Sequence, residues 1–130
     1  MVRLAETAEE SARSWQDVIE YFEQSVVKEG TLSDRPLLQF ARLIAATDYA
    51  NDVQAWISWG LCFMPRSQSQ EPKGNTLAHV TVTNHGMLDF RVRRYPSGHF
   101  LVKRQCEPAE AGRVFASVVL RMKLDREPNG

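Results

Sequence analysis

The chain has 130 residues, 43% of them apolar and 25% charged, and its 16 basic side chains balance its 16 acidic ones. A chain of this length holds one core, roughly two thirds of its unfolded surface being buried, so no disulfide scaffold is required, and the composition argues against disorder over most of the length. The first ten residues are acidic and lack an apolar stretch, so no secretory signal is expected, and the longest apolar run, around Trp56 to Met64, falls far short of the ~20 residues that span a bilayer. Cys62 and Cys106 stand without a C-x-x-C motif, so a cytoplasmic protein with two free thiols is expected.

Thr7 followed by Glu10 forms a capping box that starts a helix. Its apolar stripe is Trp15, Val18, Ile19, Phe22 and Val26, and Gly30 ends it. Ser33, with Pro36 in the first turn, opens a second helix with Leu37, Phe40, Leu43 and Ile44 at helical spacing, ending near Thr47. Val53 to Met64 alternates as one strand. Val53, Ala55, Ile57, Trp59, Leu61 and Phe63 fall on its apolar face, and Gln54, Trp56, Ser58, Gly60, Cys62 and Met64 on the mixed one. The tryptophans Trp15, Trp56 and Trp59 read as core, with Trp56 able to line an interface. Residues 65–76 form a polar, mobile loop.

Leu77 to Lys123 predicts three antiparallel strands and a closing helix. The turns Asn84-His85-Gly86 and Pro96-Ser97-Gly98 each offer a glycine for a positive φ and thereby set the register. If Thr83 opposes Met87 and Tyr95 opposes His99, Val82 faces Leu88, Val80 faces Phe90, Ala78 faces Val92 and Val92 faces Val102, with Phe90 and Phe100 pointing inward. His79, Arg91 and Lys103 then line up on the other face, next to the row Thr81, Asp89 and Gln105. Pro108 starts the last helix, whose stripe Val114, Phe115, Val118, Val119 and Met122 covers the sheet. Ala116 and Leu120 give it a second apolar edge, and residues 125–130 read as a frayed tail.

The expected fold is therefore a single α+β domain over 1–130: two N-terminal helices, an antiparallel sheet of about four strands, and a C-terminal helix on the sheet. Charge divides unevenly along it. Residues 1–52 carry five basic and ten acidic side chains, residues 53–130 eleven and six. That excess makes His79, Arg91, Arg93 and Lys103 a candidate anion or partner patch, because like charges on neighbouring strands repel unless something neutralises them. Asp89, diagonal to Lys103 and next to Arg91 on its own face, is the nearest internal counter-charge.

No phosphate loop, G-x-S-x-G, H-E-x-x-H or zinc-ligand spacing is present, so no catalytic residue, metal or cofactor is assigned. Nucleic acid is disfavoured as a partner because the polar face carries no aromatic residue at its centre by this register. The sequence therefore reads as a small non-enzymatic binding or adaptor protein acting through protein contacts, with no membrane partner. Trp56, Ala116 and Leu120 are the interface candidates, and homodimerisation is one expected use of them. The alternative is a small-ligand-binding domain or enzyme with a pocket between sheet and N-terminal helices, served by His79, Asp89 and Arg91.

Overall fold

A computed structural model describes residue 5 and residues 7–66, 76–94 and 100–125. Helix α1 (Ala8–Glu23) begins at the expected capping box: Glu10 N–H donates to Thr7 Oγ1 at 3.1 Å and Thr7 N–H to Glu10 Oε1 at 3.2 Å. It buries Trp15, Val18, Ile19 and Phe22, then widens into a π-helical turn at Gln24–Lys28 that keeps Val26 inside. Gly30 follows at φ +74°. A 3₁₀ turn, Leu32–Asp34, takes up Ser33, so helix α2 (Arg35–Ala45) starts two residues later than expected. Leu37, Phe40 and Ile44 are buried with Leu38 and Ala41, whereas Leu43 lies at the stripe's edge and is exposed.

Among the described residues the sheet has five strands rather than about four, all antiparallel and in chain order: β1 (Val53–Ile57), β2 (Leu61–Pro65), β3 (Thr76–Val82), β4 (Leu88–Arg94) and β5 (Phe100–Cys106). The fifth comes from splitting the expected single strand over Val53 to Met64 into a hairpin. A three-residue turn, Ser58-Trp59-Gly60, pairs Ile57 with Leu61 and so preserves the odd–even alternation across the reversal. Trp59 thereby leaves the core and becomes 93% exposed. Pro65 and Thr76, expected in the loop, end β2 and begin β3, and both are buried; residues 67–75 lie outside the described residues.

Between β3 and β4 the expected register holds, with Val82 opposite Leu88, Val80 opposite Phe90 and Ala78 opposite Val92. Gly86, at φ +79°, allows the turn, and Thr83 N–H reaches the Met87 carbonyl at 2.9 Å. Val92 also faces Val102, but the register then slips, so that Arg93 opposes Phe100. This bulge carries Phe100 to the polar face and corrects its expected inward direction. The turn residues 95–99 lie outside the described residues.

The three α-helices among the described residues pack on one face of the sheet. Helix α3 (Ala111–Asp125), entered through a 3₁₀ turn at Pro108–Glu110, buries its full expected stripe, and Asp125 is its last residue rather than part of a frayed tail. Val80, Leu88, Phe90 and Val92 are buried beneath the helices, with Val82 and Val102 half-buried. Phe115 links the layers, meeting Trp15 at 6.0 Å, Phe40 at 5.7 Å and Phe63 at 4.8 Å between ring centroids. At the sheet edge, Trp15 Nε1 and Ser11 Oγ donate to the Val53 carbonyl at 2.7 and 2.8 Å, and Ser14 Oγ accepts from Ala55 N–H at 3.0 Å. Helix α1 thus satisfies part of the edge that β1 would otherwise leave open. Among the described residues no helix is long and apolar enough to cross a membrane.

Candidate functional site

The face turned away from the helices carries one row across every strand: Trp56, Cys62, His79, Arg91 and Lys103. Leu77, Arg93 and Phe100 stand beside it, and Thr81, Asp89 and Gln105 form the row beyond. The sequence-derived patch of His79, Arg91, Arg93 and Lys103 is therefore assembled on one surface. Neighbouring strands stand about 4.8 Å apart, which brings the Arg91 and Lys103 stems side by side.

Two groups relieve that crowding. Asp89 Oδ2 accepts from Arg91 Nε at 3.0 Å, and this carboxylate belongs to a residue only 8% exposed. Phe100 supplies the second: the Arg91 guanidinium carbon lies 5.6 Å, and Lys103 Nζ 5.1 Å, from the centre of its ring. Each cation–ring contact is worth about 0.5–1 kcal/mol at such exposure, enough to offset the few tenths lost by placing like charges opposite one another. Arg93 and Lys103 have no carboxylate partner among the described residues, so the face keeps a positive excess.

His79, in the same row, also holds the turn. Its Nε2 lies 3.0 Å from the Ser58 carbonyl oxygen and 2.9 Å from that of Trp59. Carbonyl oxygens only accept, so Nε2 carries the proton and donates to both. The backbone it secures is strained, with Trp59 at φ +57° and Gly60 at +134°. Gly60 has no room for a side chain, since a Cβ there would fall 2.6 Å from the Val80 carbonyl oxygen and 3.1 Å from His79 Nε2.

Between the turn and Phe100 lies a cleft of about 330 Å³, lined by Trp56, Trp59, Cys62, Leu77, Arg91 and Arg93 among others. It takes in two arginines of β4 and two indoles of the β1–β2 hairpin, together with Cys62, Leu77 and His79. Burial pushes the Cys62 thiol up to about 11, although Arg93 pulls in the opposite direction. The thiol is therefore neutral near pH 7 and unsuited to nucleophilic work.

The structure divides the three interface candidates. Trp56 is half-buried on the open sheet face, whereas Leu120, 59% exposed, and half-buried Ala116 lie on α3 beyond the other face. His79, Asp89 and Arg91 point away from the helices, so they do not line a pocket between the sheet and α1 or α2. A larger hollow, about 610 Å³, lies between α1 and the β1 edge and is lined by Arg13, Asp17, Tyr21 and Trp56. Among the described residues no three His, Cys, Asp or Glu side chains gather as a metal site. Cys62 and Cys106 are separated by β3 and β4 and face opposite sides of the sheet, too far apart for a disulfide.

Sequence reasoning missed Trp59 and Phe100. The Gly60 signal for a break in the strand was present in the sequence, and a turn placed there exposes Trp59. Nothing comparable marks the bulge that turns Phe100 outward. No protein-family model, curated protein or solved structure matches this chain.

Proposed function

We propose that this protein is a non-enzymatic binding domain that takes an acidic protein partner on the open face of its sheet. The carrying observation is the Phe100 ring under Arg91 and Lys103, beside Arg93: two arginines and an exposed aromatic on one preformed surface, residue types enriched in protein interfaces. The positive excess of residues 53–130 steers an acidic surface toward it. Phe115, from the last helix, touches Trp15 of the first, which supports reading 1–130 as one domain. Two thiols with no possible partner in the chain fit a reducing compartment, and we place the protein in the cytoplasm. Self-association through Leu120 and Leu124 on the outer side of α3 is a second, independent contact.

The test is capture from native lysate with wild type and an Arg93→Glu/Lys103→Glu variant, alongside thermal melts. The reading expects a captured partner that disappears with the variant and with added salt while the melting temperature holds, since exposed charges are screened within about 10 Å at 0.1 M salt. Capture indifferent to charge reversal would refute it.

A further inference from the structure

The two edges of the sheet are finished differently. At β1, helix α1 takes up the Val53 carbonyl and the Ala55 N–H through Ser11, Trp15 and Ser14. At β5, no group among the described residues bonds the outer side of the backbone. We infer that β5 receives an extended acidic strand of the partner protein, added to the sheet antiparallel to residues 102–105. The inference rests on the binding reading above and says how that partner is held.

The phase of the ladder fixes which backbone groups are open. Thr83 N–H donates to the Met87 carbonyl. By alternation Asp89, Arg91 and Arg93 turn their backbone groups toward β3, while Leu88, Phe90 and Val92 turn theirs toward β5. Their opposites on β5, Cys106, Arg104 and Val102, are thereby engaged. Lys103 and Gln105 point the other way, so each offers an N–H and a C=O to a further strand. Lys103, Arg104 and Gln105 are all exposed, which leaves room for one.

Charge selects the strand. Lys103 lies on the open face and Arg104 on the helix-side face, because successive residues of a strand alternate. Neither has a carboxylate partner among the described residues. A second copy paired across a two-fold axis sets Lys103 against Lys103 or Arg104 against Arg104 in its two centred registers, so the edge disfavours its own kind. An incoming strand with two successive carboxylates meets both cations instead, one on each face, while its backbone takes the open groups of Lys103 and Gln105. The carboxylate opposite Lys103 falls on the face that carries Arg91 and Arg93, which joins the edge to the surface described above.

The intact protein is titrated with acetyl-Thr-Thr-Glu-Glu-Val-Thr-amide, following amide chemical shifts and hydrogen exchange. Laid antiparallel to residues 101–106, its glutamates oppose Arg104 and Lys103 and its valine opposes Val102. Two methylated forms separate strand pairing from simple charge attraction. N-methyl groups on the second and fourth peptide residues remove the N–H groups that face Lys103 and Gln105; on the third and fifth they point away from the sheet. The inference expects the first form to bind about tenfold more weakly than the parent and the second to match it, with exchange slowed at the Lys103 and Gln105 amides. Gln105→Pro deletes an N–H that the ladder to β4 does not use, so the melting temperature should hold while the peptide is lost. Equal binding of the two methylated forms, no binding at millimolar concentration, or shifts confined to Arg91 and Arg93 would overturn strand addition. If Gln105→Pro keeps the lysate partner and Arg93→Glu/Lys103→Glu loses it, strand addition falls and the binding reading stands; a partner indifferent to both overturns both.

Discussion

Phe100 lies opposite Arg93, one residue out of the register that Val92 and Val102 establish. In β-structure a single-residue slip reverses which face a side chain occupies. The slip converts a would-be core phenylalanine into the ring on which Arg91 and Lys103 rest, and it is the difference between a plain charged sheet and an aromatic–cationic surface.

Truncating the two phenylalanines of this region should therefore give unequal losses. Phe90 is fully buried and meets Phe40 edge-on at 5.5 Å, so Phe90→Ala should cost about 3–5 kcal/mol. Phe100→Ala removes only exposed cation–ring contacts, about 0.5–1 kcal/mol each. Denaturant melts of both variants decide, and similar losses would mean that Phe100 is packed inside.

Charge reversal should also divide by position. Arg91→Glu leaves the buried Asp89 carboxylate without its guanidinium and adds a second negative group, at a cost of about 1–3 kcal/mol. Arg93→Glu and Lys103→Glu touch no carboxylate among the described residues and should stay within about 0.5 kcal/mol. Thermal melts of the three single variants test this, and Asp89→Asn should recover part of the Arg91→Glu loss.

Alanine at two turn glycines gives a third contrast. Gly86 opens into free space, so Gly86→Ala should cost only its positive φ, about 1–2 kcal/mol. Gly60→Ala adds a clash with the Val80 carbonyl to a φ of +134°, and should exceed ~3 kcal/mol. Its melt should be accompanied by altered tryptophan emission, because the Trp59 turn must move.

The raised Cys62 thiol predicts an alkaline weakness. The folded state keeps this group protonated to about 11, while the unfolded chain begins to release the proton near 9. Between those values the native state binds more protons than the unfolded one, so stability is complete below pH 9 and falls as pH rises toward 11. Melts from pH 8 to about 11 should show that decline, and Cys62→Ala should lessen it, leaving the part due to Cys106, whose thiol burial also raises; alkylation of Cys62 in the native protein should be slow at pH 8.

The β3–β4 pairing was legible because Asn84-His85-Gly86 admits one turn and the flanking residues alternate without interruption. Helix α3 was legible because all five residues of its stripe recur at helical spacing. The β1–β2 hairpin was hidden for a physical reason: a three-residue turn between paired Ile57 and Leu61 leaves the alternation intact, so periodicity cannot see the reversal. The direction of Phe100 depends on pairing between two strands, information carried by neither strand alone. The patch His79, Arg91, Arg93 and Lys103 came together as expected, whereas the contacts of His79 with Ser58 and Trp59 were not foreseen, because they belong to the turn that periodicity overlooked.

Phe115 touches Trp15, Phe40, Tyr49 and Phe63, and it belongs to α3, the last of the described helices. A growing polypeptide emerges from its N-terminal end, so every other member of this cluster is synthesised before the side chain that closes it. Until residues 111–125 follow, Phe63 and Phe90 on the sheet and Phe40 on α2 lack the cover that α3 supplies. Premature termination before Ala111 would yield a sticky intermediate that should require chaperone protection or be degraded.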